Sequence, residues 1–316
     1  MNILANDGIS QSGTEALKAN GFNVITTNVA QEQLINFINE NDIVALLVRS
    51  ATTARKDLID ACPNLKIIGR GGVGMDNIDV DYAREKGLQV INTPAASSSS
   101  VAELVFAHLY SGVRFLHDSN RNMPLEGETN FKGLKKAYAK GVELRGKTLG
   151  VIGFGRIGQE TAKIGLGVGM HVIAADKFMD KATVDVTLFN GQSIPVEITT
   201  ESIDSVLKNA DFITLHVPAQ KEYVIGEKEF GQMKDGAAII NAARGGVIDE
   251  VALLKALDSG KLAFAGLDTF EEEPKPAIQV LMHPKVSLTP HIGAATGEAQ
   301  DRIGVELAEQ IAAILA

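Results

Sequence analysis

The chain has 316 residues, which is long enough for two domains of ordinary size. Its composition, with 45% hydrophobic and 22% charged residues, is that of a globular protein. The 39 acidic residues outnumber the 30 basic ones and give a formal charge of -9, which argues against a general surface for nucleic acid or for anionic membranes.

The cysteine count and the N-terminal sequence favour a soluble cytoplasmic protein. Cys62 is the single cysteine, so neither an intrachain disulfide nor a cysteine-rich zinc site can form. The first residues, MNILANDGIS, lack the basic and apolar segments of a secretory signal. No apolar run approaches the roughly 18 to 20 residues that a membrane-spanning helix needs.

Short apolar runs alternate with helical patterns along the whole chain. In chain order they are MNIL, FNVIT, IVALLVRS, LKIIGRG, LQVINTP, TLGVIGFG, MHVIAAD, DFITLHVP, AAIINAARG, LAFAGLDTF and VSLTP. Runs this rich in Val and Ile, separated by segments of helix length, predict strands that are buried on both faces of parallel sheets. The predicted fold class is therefore doubly wound α/β.

Two Thr-Pro turns predict where the chain passes between domains. Pro94 and Pro290 each end an apparent strand and are each followed by small residues and a helix. We interpret them as the two crossings of a central nucleotide-binding domain, residues 98–288, which is inserted into a second domain built from residues 1–97 and 289–316. Ser100 and Glu103 have the spacing of a capping box, which predicts the entry to the helix that follows Pro94.

Residues 184–198 interrupt the alternation. Strand-like runs flank Asn190 and Gly191, a pair that supplies the positive φ angles of a type I′ turn, so the segment predicts a β-hairpin. Pro195 would hold the second strand of the hairpin to an edge position. The sequence assigns the hairpin no function.

The segment KTLGVIGFGRIGQETAKI contains the pattern GxGxxG between an apolar strand and a helix, as Gly153, Gly155 and Gly158. The first glycine permits the tight turn, the second lets the backbone approach a pyrophosphate, and the third allows close packing of helix on strand. Asp176 ends the next apparent strand, where a carboxylate binds the ribose hydroxyls of NAD and repels the 2′-phosphate of NADP. The pattern predicts NAD as the cofactor, although Lys177 leaves some room for NADP.

Three isolated polar residues follow the fingerprint: Arg244 in NAARGGVIDE, Glu273 in FEEEP and His291 in TPHIGAA. Taken singly, each has an ordinary structural explanation, as a surface arginine, a solvated glutamate and a hydrogen-bonded turn histidine. Only their combination in one chain points to chemistry.

Together with their neighbours these motifs resemble the D-isomer-specific 2-hydroxyacid dehydrogenases. The resemblance runs from about Leu46 to the C-terminus, through VRSAT, GRGGVGMDNIDVDYAREKG, VINTP, SVAEL, ELRGKTLGVIGFGRIG, ADFITLHVP, NAARGGVIDEVAL, GLDTFEEEP and TPHIGAAT, in the order of the family. VRSAT, GRGGVGMDNID and VINTP are most similar to the phosphoglycerate dehydrogenases of that family. The resemblance implies a Rossmann NAD-binding domain inserted into a flavodoxin-like substrate domain.

The resemblance also implies that Arg244, Glu273 and His291 are the catalytic residues. In the family the glutamate that pairs with the histidine stands directly before a proline, so Glu271 and Glu272 are expected to be solvated. The imidazole would take the hydroxyl proton during oxidation and return it during reduction, a role worth about 10²- to 10⁴-fold in rate. Arg244 would bind the substrate carboxylate in two-pronged fashion or polarise the C2 oxygen. No metal is needed.

Further contacts are implied by the same resemblance. The cofactor-binding residues would be Gly153, Gly155, Arg156, Ile157, Gly158, Asp176, Val217, Ala242, Ala243, Arg244, Asp268, His291, Gly293 and Ala294. The substrate-binding residues would be Arg49, Arg70, Val73, Gly74, Arg244 and His291. In phosphoglycerate dehydrogenases the two matching arginines hold the substrate phosphate, and Val73 stands where those enzymes often have a polar residue.

The implied reaction is the NAD-dependent oxidation of 3-phospho-D-glycerate to 3-phosphooxypyruvate, the first step of L-serine biosynthesis. The alternatives are a glyoxylate or hydroxypyruvate reductase of the same family and a NAD-sensing scaffold or corepressor of the same fold. Because the chain ends soon after the helix that follows His291, we expect no serine-binding regulatory domain and no feedback by L-serine through one. The helix at residues 101–115 is apolar, and members of the family commonly dimerise through the nucleotide-binding domain. We therefore expect a homodimer.

Overall fold

The computed structural model describes residues 1–315, which form two compact units. The first unit comprises Met1–Ser100 together with the chain from Ala294 onward, and the second is Val101–Gly293. The second unit is thus inserted into the first along the sequence. The predicted division at 97/98 and 288/289 groups His291 with the chain ends, whereas here it belongs to the inserted unit.

Strands and helices alternate through both units. Within residues 1–315 the strands are β1 (Asn2–Ala5), β2 (Asn23–Ile25), β3 (Ile43–Val48), β4 (Ile67–Arg70), β5 (Gln89–Asn92), β6 (Thr148–Ile152), β7 (His171–Ala175), β8 (Lys181–Thr187), β9 (Ser193–Thr199), β10 (Phe212–Leu215), β11 (Ala237–Asn241), β12 (Leu262–Leu267) and β13 (Val286–Leu288). The helices are α1 (Gln11–Ala19), α2 (Leu34–Glu40), α3 (Lys56–Ala61), α4 (Val80–Glu85), α5 (Ser98–Val113), α6 (Leu116–Glu126), α7 (Phe131–Ala137), α8 (Arg156–Val168), α9 (Ile203–Asn209), α10 (Glu227–Gln232), α11 (Glu250–Asp258), α12 (Ile278–Leu281) and α13 (Gly297–Leu315), with a 3-10 turn at Gln31–Gln33. Over these residues, no helix combines the length and apolarity that crossing a membrane requires.

The first unit is built on one parallel sheet with the strand order β2-β1-β3-β4-β5, which is the flavodoxin-like order. Helices α1 and α13 pack against each other unusually closely. A Cβ atom on Gly13 would lie 2.6 Å from the Cα atom of Gly304, so a side chain at that position would force the two helices apart. The predicted doubly wound fold is confirmed for this unit.

The second unit contains a parallel sheet with the strand order β13-β12-β11-β10-β6-β7. All neighbouring strands of this sheet are parallel, so their carboxyl ends meet at one edge. Apolar clusters cover both faces: one includes Ile213 and Leu253, and the other includes Val105 and Phe154. The chain continues from β6 to β7 on one side of β6 and later returns to its other side with β10, so the strand order reverses at β6. Such a switch point is where doubly wound sheets bind dinucleotides.

The hairpin prediction is confirmed, but the predicted turn type is wrong. Strands β8 and β9 pair antiparallel from Lys181 with Thr199 to Thr187 with Ser193. Only Gly191 has a positive φ in the connection, at 83°, while a type I′ turn needs two such residues. The backbone N–H of Leu188 donates to the carbonyl of Gln192 at 2.7 Å, and that of Gly191 donates to the carbonyl of Leu188 at 2.9 Å. These bonds describe a type I turn closed by a glycine bulge.

Helix α5 departs from two expectations. It begins at Ser98, and the hydroxyl of Ser100 lies 2.7 Å from that of Thr296, so Ser100 does not form a capping box. Several of its apolar residues, among them Val105 and Leu109, are fully buried within their own unit, whereas Ala107 and Tyr110 are exposed. Burial within the unit explains much of the apolar character of the helix, which is therefore weaker support for a homodimer.

Candidate active site

The turn between β6 and α8 has the shape that a dinucleotide-binding loop requires. Gly153 has a φ of 92°, and a Cβ atom there would lie 2.5 Å from the carbonyl oxygen of His216. A Cβ atom on Gly158 would lie 2.2 Å from the carbonyl oxygen of Gly153. A Cβ atom on Gly155, by contrast, would have no heavy atom of the described residues within 4 Å, apart from the two chain neighbours of the glycine. No side chain of the described residues caps α8. The first amides of α8 are therefore open to a pyrophosphate.

Asp176 follows β7 directly, and its carboxylate is already oriented. Its Oδ2 accepts a hydrogen bond of 2.7 Å from the backbone N–H of Phe154, and its Oδ1 accepts one of 2.8 Å from that of Phe178. The first of these bonds ties the carboxylate to the fingerprint turn. The structure thus brings the predicted ribose-binding residue to the predicted pyrophosphate loop.

The other predicted cofactor residues of the second unit follow neighbouring strands of the same sheet. Val217 comes after β10 and lies beside Gly153, where a Cβ atom would be 3.0 Å from its Cγ1. Ala242 and Ala243 follow β11 and are buried. Arg156 and Ile157 open α8, Asp268 follows β12, and His291 and Gly293 follow β13. Because the strands are parallel, all these loops leave the sheet at its carboxyl edge.

Glu273 and His291 lie in hydrogen-bond contact. Nδ1 of His291 is 2.8 Å from Oε2 of Glu273, whose Oε1 accepts a bond of 3.0 Å from the backbone N–H of Phe270. An ionised carboxylate can only accept, so Nδ1 carries the hydrogen and Nε2 is left for proton exchange. The two side chains are 37% and 42% exposed, so a small acid can reach the imidazole from solvent.

A buried aspartate holds the loop that presents this histidine. Asp268 is 1% exposed. Its Oδ1 accepts bonds from the Thr289 hydroxyl at 2.6 Å and from the Ile292 N–H at 2.8 Å, and its Oδ2 accepts one from the Gly293 N–H at 2.9 Å. His291, between these contacts, has a φ of 54°, a left-handed conformation that costs a non-glycine residue about 1 to 3 kcal/mol. The three bonds stabilise that conformation.

The sequence motifs predict Asp268 only as a contact of the nicotinamide amide. A carboxylate offers about four acceptor directions, and three are used within the protein, which leaves one on Oδ2. Sequence reasoning missed this internal role. The available signal was the position of Asp268 at the end of a buried strand, next to the strand that leads to His291.

Arg244 lies in a tight loop that follows β11. The side-chain amide of Asn241 donates to the carbonyl of Arg244 at 2.9 Å, and its Oδ1 accepts a bond of 3.1 Å from the N–H of Ala243. Nη1 of Arg244 donates to the carbonyl of Ala243 at 2.6 Å. Asn241 therefore closes the loop, and the guanidinium is held at a defined position on it.

The loops of Arg244 and Glu273 are fastened to each other. A Cβ atom on Gly245 would lie 1.7 Å from the carbonyl oxygen of Phe270, so the two backbones touch at this point. The N–H of Glu250 donates to Oε1 of Glu271, and the N–H of Glu271 donates to Oε1 of Glu250, both at 2.9 Å.

This reciprocal pair changes the expectation for Glu271. Its side chain is exposed, as predicted, but its carboxylate binds the first amide of α11, where the helix dipole favours negative charge. Glu250 is only 7% exposed, and burial raises the pKa of its carboxyl. Within residues 1–315, Glu272 makes no hydrogen bond through its side chain and matches the expectation of a solvated residue.

His108 is a second buried group near the site that the sequence motifs did not indicate. It lies on α5, is 2% exposed, and places its ring between the hydroxyls of Ser287 and Thr289, at 2.9 and 3.0 Å. Burial lowers the pKa of the imidazole to about 4. His108 is therefore neutral at neutral pH.

The comparison with protein families agrees with this geometry. The profile of the D-isomer specific 2-hydroxyacid dehydrogenase NAD binding domain matches residues 106–293, more than half of the chain. The chain belongs to this family. The predicted family, the NAD-dependent dehydrogenase class and NAD as the cofactor are thereby confirmed.

Two relatives of this dehydrogenase have different names. Hydroxypyruvate reductase of Thermotoga maritima is 43% identical over 316 residues, which cover 98% of this chain and 96% of the relative. D-3-phosphoglycerate dehydrogenase of Methanocaldococcus jannaschii is 42% identical over 315 residues, which cover 99% of this chain but 57% of the relative. The chain thus spans little more than half the length of the phosphoglycerate dehydrogenase.

Solved structures show the same fold. The TT0316 protein from Thermus thermophilus has a TM-score of 0.84 at 28% identity, covering 100% of this chain and 97% of that chain. The D-lactate dehydrogenase from Aquifex aeolicus, complexed with NAD and lactic acid, has a TM-score of 0.76 at 30% identity, covering 100% of this chain and 95% of that one.

Replacing Glu271 by Ala should slow this dehydrogenase and lower its melting temperature. The substitution removes the acceptor for the Glu250 amide, a bond worth about 1 kcal/mol, and loosens the loop that carries Glu273. Glu272→Ala is the matched control and should leave both quantities near wild type. Steady-state kinetics and thermal unfolding measure the effects, and equal behaviour of the two variants would contradict the role of the Glu250–Glu271 pair.

The stability of this dehydrogenase should fall as the pH is lowered from about 6.5 towards 4. The pKa of His108 is about 4 in the folded state and near 6.5 when unfolded, so in this window the unfolded chain binds more protons. The contribution lost at pH 5 is on the order of 2 kcal/mol. His216, whose pKa burial lowers to about 3, acts in the same direction.

Urea unfolding at pH 7 and pH 5 measures this dependence. His108→Gln should shrink the difference between the two free energies of unfolding, because glutamine does not titrate. His171→Gln, at an exposed position, is the control and should leave the difference unchanged. An unchanged difference in His108→Gln would show that the buried imidazole does not cause the loss.

Proposed function

We propose that this dehydrogenase oxidises 3-phospho-D-glycerate to 3-phosphooxypyruvate with NAD, the first step of L-serine biosynthesis. The observation that carries the proposal is the 2.8 Å contact between Glu273 and His291, on a loop fastened to that of Arg244. Oxidation of a 2-hydroxy acid requires removal of one proton and one hydride, and this pair supplies the group that accepts the proton.

The proton moves to Nε2 of His291 from the C2 hydroxyl of the substrate. The ring then carries a positive charge, which the carboxylate of Glu273 at Nδ1 stabilises. Arg244 binds the substrate carboxylate and turns C2 towards the nicotinamide, a task suited to the planar guanidinium. Bound NAD would supply the acceptor for the hydride that leaves C2. In reduction, His291 returns the proton to the same oxygen.

The open amides of α8 and the carboxylate of Asp176 are suited to the two ends of the NAD adenosine diphosphate. Gly155 leaves room for the pyrophosphate, and Gly153 and Gly158 shape the turn around it. The carboxylate of Asp176 accepts hydrogen bonds from ribose hydroxyls and repels a 2′-phosphate, which favours NAD over NADP.

The choice of a phosphorylated substrate rests on Arg49 and Arg70 of the first unit. Arg70 is the last residue of β4 and pairs with Val48 on β3, and Arg49 follows Val48, so both arginines lie at neighbouring strand ends. The Asp7 carboxylate accepts a bond of 2.6 Å from the Arg49 N–H and fixes this strand end. Two arginines at neighbouring strand ends supply the positive charge and the planar donors that suit the oxygens of a phosphate.

We propose that the segment after Arg70 also contributes to substrate binding. The carbonyl of Val73 accepts a bond of 2.8 Å from the side chain of Asn92, which fixes the backbone of Val73 and Gly74. We assign this backbone to the substrate carboxylate. The side chain of Val73 is 38% exposed and offers no polar group of its own.

Reduction of hydroxypyruvate or glyoxylate is the second candidate. The relative named hydroxypyruvate reductase, which matches along nearly its whole length, favours it. A homodimer and a cytoplasmic location also stay predictions. The homodimer now rests mainly on the family resemblance, since much of helix α5 is buried within its own unit.

Turnover with NAD(H) on 3-phosphoglycerate, hydroxypyruvate and glyoxylate separates the candidates. We expect the highest kcat/KM on 3-phosphoglycerate, and Arg49→Ala should raise the KM for it by about 10-fold or more, the loss expected for one charge-assisted hydrogen bond. Arg55→Ala, which removes a surface ion pair with Asp79, is the control. A preference for hydroxypyruvate that Arg49→Ala leaves intact would favour the reductase, and NAD binding without any turnover would favour a NAD-sensing scaffold.

Replacing Glu273 by Gln should lower kcat by about 10- to 100-fold while the affinity for NAD stays near wild type. Glutamine keeps an acceptor for Nδ1 of His291 but removes the negative charge that stabilises the protonated ring. Glu272→Gln in the same turn is the control. A kcat of Glu273→Gln equal to that of Glu272→Gln would remove Glu273 from the mechanism.

A further inference from the structure

We propose that His108 is a positioning residue for the catalytic histidine, acting through the hydroxyl of Thr289 and the carboxylate of Asp268. The inference rests on the proposed function, in which His291 exchanges the proton with the substrate. His108 itself touches neither cofactor nor substrate in this proposal.

The position of His108 is fixed by close packing. It lies on α5 and faces β12, where a Cβ atom on Gly266 would be 2.7 Å from the Cβ atom of His108. The glycine thus makes room for the imidazole inside the unit. Nδ1 of His108 lies 2.9 Å from the hydroxyl of Ser287 on β13, and Nε2 of His108 lies 3.0 Å from the hydroxyl of Thr289 just beyond β13.

The hydrogen bonds along this path can run in only one direction. The Thr289 hydroxyl has one hydrogen and lies 2.6 Å from Oδ1 of Asp268, an acceptor, so the hydrogen points to the carboxylate. The oxygen of Thr289 must then accept, which places the hydrogen of the neutral imidazole on Nε2. Nδ1 is left to accept from Ser287 at 2.9 Å, a shorter contact than the 3.4 Å between the hydroxyls of Ser287 and Ser111, so the one hydrogen of Ser287 points to the imidazole. Ser287, His108 and Thr289 thus donate in that order along the path, and the carboxylate of Asp268 is the final acceptor.

This path ends on the backbone that shapes His291. Oδ1 of Asp268 also accepts from the N–H of Ile292, the residue after the histidine, and the carbonyl of Thr289 accepts a bond of 3.1 Å from the N–H of His291. Thr289 is therefore bound through its hydroxyl on one side and through its carbonyl to the histidine on the other. Removing the imidazole of His108 leaves the Thr289 oxygen without its donor and frees the hydroxyl to rotate away from Asp268.

The alternative is that His108 is a core histidine whose ring is merely satisfied by nearby hydroxyls. A packing role and a positioning role predict different effects of a double substitution. If His108 acts through Thr289, then its loss has no further effect once the Thr289 hydroxyl is gone, and the effects of the two substitutions are not additive. A packing role gives independent effects that add.

The test compares His108→Leu, His108→Gln, Thr289→Val and the double variant His108→Leu/Thr289→Val. Hydrogen exchange of the amides of residues 291–293 reports on the loop, and kcat and KM report on the reaction. His108→Leu should speed exchange of these amides and lower kcat, each by about 10-fold, with KM little changed, because one hydrogen bond of the path is lost.

His108→Gln should recover most of both losses, since its amide can donate to Thr289 and accept from Ser287. The double variant should be no slower than Thr289→Val alone. The matched control is Val105→Ala, which creates a cavity beside the same helix because Val105 is fully buried. It should lower the melting temperature, while kcat and the exchange of residues 291–293 stay near wild type. If His108→Leu does not fold, the test rests on Thr289. Thr289→Ser must then keep the kcat and the exchange rates of wild type, and Thr289→Val must show a lower kcat and faster exchange.

Additive effects in the double variant would overturn the proposal, as would a His108→Leu protein with unchanged exchange and kcat. Loss of kcat in Val105→Ala equal to that in His108→Leu would assign both residues to packing. Failure of the proposed function looks different: wild type would prefer hydroxypyruvate or glyoxylate to 3-phosphoglycerate, or would turn over none of these acids, and the exchange of residues 291–293 would then decide by itself whether His108 holds the loop.

Discussion

The carboxylate of Asp268 is the constraint on which the catalytic arrangement depends. It is buried, and a buried negative charge is stable only if hydrogen-bond donors surround it. Two of the three donors it has found are backbone amides of the loop that carries His291, so the need to satisfy the charge also sets the conformation of the loop. His291 has a left-handed backbone conformation, which the bonds to Asp268 stabilise.

The parallel sheet brings Asp268 and the loop of His291 close enough for these hydrogen bonds. The strands that precede Arg244, Asp268 and His291 are β11, β12 and β13, which are neighbours in the sheet. Their loops leave at one edge, and each is short enough to be bound by the next. Glu250 and Glu271 join the first loop to the second, and Asp268 joins the second to the third. The three chemical groups are thus held by a chain of local contacts along adjacent strand ends.

The sequence was sufficient to predict the strand alternation, the fingerprint and the family, because these depend on local periodicity and on motifs with fixed spacing. It did not reveal the roles of Asp268, Glu271 and His108, since each depends on a partner on another strand or helix. The error about Ser100 has the same origin: its hydroxyl bonds to Thr296, far along the chain, and this contact prevails over the local capping pattern. The turn type at Gly191 was wrong because Asn-Gly is compatible with more than one tight turn.

The insertion of one unit into the other separates the residues that we assign to the chemistry from two arginines that we assign to the substrate. The fingerprint and the residues Arg244, Glu273 and His291 all lie in Val101–Gly293, whereas the arginines that we assign to the substrate lie in the unit formed by the chain ends. If the proposed function holds, substitutions in one unit would change the acid that the protein accepts and leave the proton chemistry of the other unit intact. Two relatives that are equally similar to this chain can, on this basis, carry different names.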